Sequence, residues 1–223
     1  MKEVEFLRSW HDLIAGAYEG FFLNPKLLKR LKMDEQELIL LGVYAALGNE
    51  GEVIEHGNKA MDAGASPNAV VEAVLTAAIS RGPKALKTAL PFLAKLKIGK
   101  EKWDQQRLDK TPLEYFASEF EKLPDWVKQM EVFSANALSH YAVLRRHILS
   151  EGAAKRKTKE LLTMLLNAIT ANPGGITSHA LSAMRHGATR EEILETFLLG
   201  VSVGGIVVWI NGVNALSEWS EIV

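Results

Sequence analysis

The sequence predicts an all-α protein: one helical module used twice, giving a pseudo-two-fold within one chain. No stretch of the 223 residues alternates apolar and polar side chains as a half-buried strand would. Apolar residues instead recur at three- and four-residue steps in short segments punctuated by Gly, Pro, Asn and Ser. Residues 37–82 and 160–205, aligned without a gap at an offset of 123, are identical at 13 of 46 positions. The identities include Glu37/Glu160, Asn49/Asn172, Gly51/Gly174, His56/His179, Gly64/Gly187, Glu72/Glu195 and Gly82/Gly205. Polar residues and glycines kept in register point to duplication rather than to shared helix composition.

The elements follow in order. Residues 3–23 place Phe6, Trp10, Leu13, Ala17 and Phe21 on one face of an amphipathic helix, which Asn24-Pro25 interrupts. Asp34 and Glu37 fit a capping box opening a helix that runs to about Gly48. Asn49 starts the next helix, again in a box with Glu52, and Gly64 stops it. Ser66-Pro67 restarts the chain as N-cap and first helical residue, and Gly82-Pro83 turns it into a last helix carrying Leu86, Leu90 and Leu93. The charged stretch at 98–111 is the expected linker, with a first module over 1–97 and a second over 112–223. A long helix over Pro124–Ser150 carries Trp126, Met130, Phe133, Ala137, Tyr141 and Leu144, at the offset of the N-terminal helix. In the second copy, Asn172-Pro173 opens a helix, Gly187 ends it, and Thr189 and Glu192 form the next capping box.

Composition narrows the function. With 26 basic and 27 acidic residues the net charge is −1, so no basic field favours nucleic acid. There are no cysteines, which removes thiolate nucleophiles, thiolate metal sites and disulfides. No spacing of His and carboxylates suggests a metal site, and no nucleotide-binding loop appears. The N-terminal MKEVEFLRSW lacks the apolar run of a signal peptide, so a cytoplasmic protein is expected. Phe197–Val213 is almost wholly apolar, but it is short for a span of ~20 residues and is broken by Gly204-Gly205. It reads as a helical hairpin buried on more sides than its counterpart, at a subunit interface rather than in a membrane.

The order of these features resembles the carboxymuconolactone decarboxylase and alkyl hydroperoxidase D family. A Glu-Leu opens one helix, an Asn starts the next, and a His is followed by Ala-x-x-x-Gly-Ala-Ser/Thr. A helix with an internal Glu and a closing Gly completes the pattern, in both copies. The resemblance implies an all-helical oligomer, and for a chain with two modules a trimer of pseudo-dimers. In the peroxidase branch a Glu precedes a Cys-x-x-Cys and a His. Those positions fall on Glu37, Asn49, Glu52 and His56 in copy one, and on Glu160, Asn172, Gly175 and His179 in copy two. Every sulfur is replaced, so dithiol peroxidase chemistry is not expected.

The decarboxylase branch implies acid–base chemistry on a small organic acid, without metal or organic cofactor. The candidate catalytic residues are therefore His56 with Glu37 and Glu52, and His179 with Glu160. Glu52 stands one helical turn before His56 and has no counterpart in copy two, which makes copy one the richer candidate. Arg81 is a candidate for binding a substrate carboxylate, and Asn49 and Asn172 are further substrate-binding candidates. Against these roles stand structural ones: Glu37 in a capping box, the asparagines as N-caps, and each Glu–His pair as a tie between two helices. The alternative to an enzyme is a small-molecule binder or oligomeric scaffold that kept the fold alone.

Overall fold

A computed structural model describes residues 2–22, 28–99, 110–120 and 122–217, and among these the regular structure is helical throughout. The helices are α1 (Lys2–Trp10), α2 (Asp12–Phe22), α3 (Met33–Leu47), α4 (Glu50–Asp62), α5 (Pro67–Arg81) and α6 (Lys84–Leu93). They continue as α7 (Pro112–Glu119), α8 (Asp125–Leu149), α9 (Arg156–Ile169), α10 (Pro173–Arg185), α11 (Arg190–Gly204) and α12 (Ile206–Ala215). At the offset of 123, α3–α6 correspond to α9–α12. The interruption expected at Asn24-Pro25 and most of the expected linker lie outside the described residues.

α3 and α9 form the centre. Leu38, Ile39, Leu41 and Val43 of α3 and Leu161, Leu162, Met164 and Leu165 of α9 are buried in one core shared by both copies. Turn chemistry largely follows the sequence. Ser66 Oγ accepts from the Ala69 amide and Thr189 Oγ1 from the Glu192 amide, while the Glu192 carboxylate reaches back to the Thr189 amide. Gly82 and Gly205 close α5 and α11 at φ 83°, ψ −179° and φ 75°, ψ −178°, a region essentially restricted to glycine.

The repeated Glu72 and Glu195 strap each module to the other. Glu72 accepts from the amides of Ala153 and Ala154, both at 3.0 Å, just ahead of α9. Glu195 accepts from the amides of Lys29, Arg30 and Leu31 at 2.8–3.0 Å, just ahead of α3. Each carboxylate thus fixes the segment entering the other copy's central helix. Glu72 is also paired at 2.5 Å with Lys159, which is 1% exposed.

Three expectations are corrected. The helix expected over 3–23 is broken at His11, and the one over 124–150 kinks at Ser134 (φ −159°, ψ 85°), the equivalent position 123 residues on. Ser134 Oγ accepts from the Ala137 amide, so a serine N-cap restarts the helix inside α8. The first break folds α1 against α2, with Arg8 3.2 Å from Glu19. The capping box assigned to Asp34 and Glu37 is made elsewhere: α3 starts at Met33, and Glu35 reaches back 3.4 Å to the Lys32 amide. Finally, Glu52 leaves its box with Asn49 half-made; the Asn49 side chain accepts from the Glu52 amide, but the Glu52 carboxylate turns to His56.

The apolar stripes of α1–α2 and α8 lie largely on the surface. Phe6, Trp10 and Leu13 are 70–76% exposed, and Val132 and Phe133 at least 90%. α7 and both parts of α8 form a small second core around Tyr115, Phe116, Val127, Leu138 and Ala142. No described helix is long and apolar enough to cross a membrane. The α11–α12 hairpin buries Phe197 and Val208 completely, while Ile206, Val207 and Ile210 stay about half exposed.

Candidate functional site

Glu37 sits in the second turn of α3 and His56 in the second turn of α4. Because Glu35 takes the box position, the Glu37 side chain is free to meet His56. Its Oε2 is 2.6 Å from His56 Nδ1, and both side chains are about 10% exposed. On the other side of the ring, Glu52 Oε2 is 3.4 Å from Nε2. Tyr44, two turns after Glu37 on α3, stacks on the imidazole at 5.1 Å and 10°. Burial, then the charges of Glu52 and Glu55, push the Tyr44 phenol above its ordinary value, so it remains a protonated group beside the ring.

The second copy repeats the contact with different surroundings. Glu160 Oε2 is 2.7 Å from His179 Nδ1, with Glu160 fully buried and His179 15% exposed. Burial alone would raise the Glu160 carboxyl. The hydrogen bond and charge of His179, the charge of Arg145 and a hydrogen bond from Ser182 outweigh it and hold Glu160 at about 2. An ionised carboxylate can only accept, so Nδ1 of His179 carries the proton and Nε2 is the ring's outward atom.

Behind Glu160 runs a chain of charges that sequence reasoning missed. Arg156 Nε is 3.4 Å from Glu160 Oε1, and the Arg156 guanidinium also pairs with Glu119 at the end of α7. Glu119 is 3.3 Å from Arg145, which donates to the Tyr115 hydroxyl at 2.9 Å and lies over the Phe120 ring at 5.1 Å. Arg156 stands one turn before Glu160, a spacing legible in the sequence. Arg145 is an arginine on an amphipathic helix, and nothing local marks it as buried. Copy one has Met33 and Phe22 at the equivalent positions, so the copy with the denser charge network is the second.

The remaining candidates lie apart from the imidazoles. Asn49 and Asn172 each accept from the amide three residues on, as N-caps, and Asn172 also donates to Asn167 at 2.9 Å. Copy two has no carboxylate matching Glu52, and a side chain at Gly175 would meet the Asn167 carboxamide. The Arg81 guanidinium crosses to the other copy, donating to the Leu166 carbonyl and, at 2.6 Å, to Thr170 Oγ1. Among the described residues, no group of three or more His, Asp or Glu side chains is placed to hold a metal ion.

The model of the Carboxymuconolactone decarboxylase family matches residues 16–95 and 135–218. The chain belongs to that family. Two matches on one chain agree with the duplicated module and with the two equivalent Glu–His contacts. A protein of Paracoccus denitrificans described as "Uncharacterized protein 4 in cox locus" is 27% identical over 82 residues, spanning 37% of this chain and 74% of that protein. The chain has no cysteine.

Proposed function

We propose that the chain is a cofactor-free acid–base enzyme that decarboxylates a small organic acid of the lactone or β-keto type. The observation that carries this reading is the repeated carboxylate–Nδ1 contact, 2.6 Å in copy one and 2.7 Å in copy two. A carboxylate on Nδ1 fixes one tautomer and steadies the imidazolium form, leaving Nε2 to move a proton. As the substrate's bond to its carboxylate breaks, the electron pair passes into the adjacent carbonyl-conjugated system. Nε2 then delivers the proton to carbon while CO2 departs. Glu37 and Glu160 orient the two histidines, and Glu52 touches Nε2 in copy one.

A second reading is a non-catalytic binder or oligomeric scaffold. It is favoured by burial: His56 is 8% exposed, and neither histidine lines the cavity between α10 and α12 or the one beside α1 and α2. A screen of lactone acids and β-keto acids for CO2 release separates the two. Release that disappears in the His56→Ala/His179→Ala double variant supports the enzyme. No release from any of these acids by the folded wild type overturns it.

We also propose that the chain works as a homo-oligomer, with a trimer favoured. The support is the apolar surface of α1–α2 and α8, where Phe6, Trp10, Leu13, Val132 and Phe133 are each at least 70% exposed.

A further inference from the structure

We infer that copy two carries a small-molecule pocket with a lining that copy one does not share, independent of the Glu–His pairs. A cavity of about 300 Å³ lies between α10 and α12, lined by Ala171, Pro173, Ile176, Asn211, Asn214 and Ala215. All six lining residues differ from their equivalents in copy one. In copy one the Phe92 ring, equivalent to Ala215, lies directly on Gly57, where a Cβ would overlap it. The Lys84 side chain, equivalent to Val207, crosses Gly48 and donates to the Leu47 carbonyl at 3.0 Å. Copy two has Ala215 and Val207 at those positions, and Ala180, in the place of Gly57, is fully buried outside the cavity lining. Ala215 presents only a methyl group, and Val207 is about half exposed on α12.

The backbone at the pocket is also unusual. Ala171 takes the place of Gly48 and keeps its left-handed turn, at φ 52° against 88°, the one non-glycine at positive φ among the described residues. Glycine would relieve that strain, but alanine adds a methyl group to the pocket wall. Strained residues of this kind concentrate at ligand sites.

The lining defines the ligand. Four of the six side chains are apolar, two are carboxamides, and none is charged. Copy one has Thr88 and Pro91 where Asn211 and Asn214 stand, so the amide pair is specific to this pocket. Asn211 Nδ2 is committed to the Ala168 carbonyl at 2.9 Å, which leaves its carbonyl oxygen as an acceptor. Asn214, on the exposed side, offers both donor and acceptor. The pocket therefore suits a compact apolar body, one ring or a short branched chain, with a single uncharged amide-like head. Its volume is at the small end for ligand pockets.

The test uses benzamide, benzoate and benzyl alcohol as probes, with the full chain followed by NMR. Benzamide should bind saturably, shift the Asn211 and Asn214 side-chain amide signals, and bind more tightly than benzoate. Asn214→Ala, a surface change, should weaken benzamide about five-fold, the worth of one hydrogen bond. The Ala180→Gly/Ala215→Phe double variant, which rebuilds the pairing copy one already folds with, should abolish binding. Absence of saturable benzamide binding, or binding undiminished in the folded double variant, overturns the pocket. Tighter binding of benzoate overturns the uncharged head.

Discussion

Glu160 Oε2 stands 2.7 Å from His179 Nδ1, and the same contact is made 123 residues earlier between Glu37 and His56 at 2.6 Å. The two pairs differ in what surrounds them. Two arginines extend the first network, and a second carboxylate faces the imidazole of the other. Those differences generate tests that separate the copies.

Acid stability should depend on Glu160. Its folded value of about 2 is below the unfolded carboxylate value, so its contribution is present above roughly pH 4.3 and lost as pH falls through about 2. The shift corresponds to a stabilisation on the order of 3 kcal/mol. Denaturant unfolding of wild type and Glu160→Gln should differ most near pH 6 and converge only as pH falls to about 2. An unchanged difference across that range contradicts the charge assignment.

The straps should be unequal. Glu72→Gln and Glu195→Gln each weaken hydrogen bonds to a charged acceptor, worth about 1.5–3 kcal/mol. Glu72→Gln also leaves Lys159 buried without its carboxylate, a loss on the order of 3–5 kcal/mol. Urea midpoints at constant m should therefore fall further for Glu72→Gln than for Glu195→Gln.

Much of this fold is legible in sequence because its signals are local. The caps at Ser66, Asn172 and Thr189 need only three residues, and Gly82 and Gly205 mark turns that other residues enter at a cost. The Glu–His pairing was legible only through the duplication, since α3 and α4 bring together residues nineteen apart. What was hidden depends on tertiary contact. Glu72 and Glu195 look like ordinary helical glutamates until the other copy's backbone is placed against them. Arg145 and Glu119 meet across two helices, so neither spacing nor composition announces them. The Asp34–Glu37 box misled because the helix begins two residues earlier, where Glu35 reaches back to the Lys32 amide.

Backbone strain at Ala171 gives a stability test. Ala171→Gly should raise stability by up to about 1 kcal/mol, the cost of a left-handed alanine less the entropy of a glycine. At Gly205 the reverse change to alanine should destabilise by at least about 1 kcal/mol. Thermal unfolding of the two variants checks both signs.

The exposed stripes should hold subunits together. Sedimentation of the wild type should give a species larger than the 24.6 kDa chain. Trp10→Asp and Phe133→Asp, at positions 70% and 92% exposed, should shift it toward monomer without unfolding it. A wild type that sediments as a monomer at micromolar concentration contradicts the oligomer.

The central claim is that the paired histidines move a proton to carbon. The most direct measurement is the rate of CO2 release from the best lactone or β-keto acid, compared among wild type, His56→Ala and His179→Ala. Loss of a general acid–base group should lower the rate of the copy it serves by about 10²-fold or more. At least one single variant should therefore lose half or more of the total turnover while remaining folded. If both variants fold and release CO2 at the wild-type rate, the Glu–His pairs are structural ties and the acid–base account is wrong.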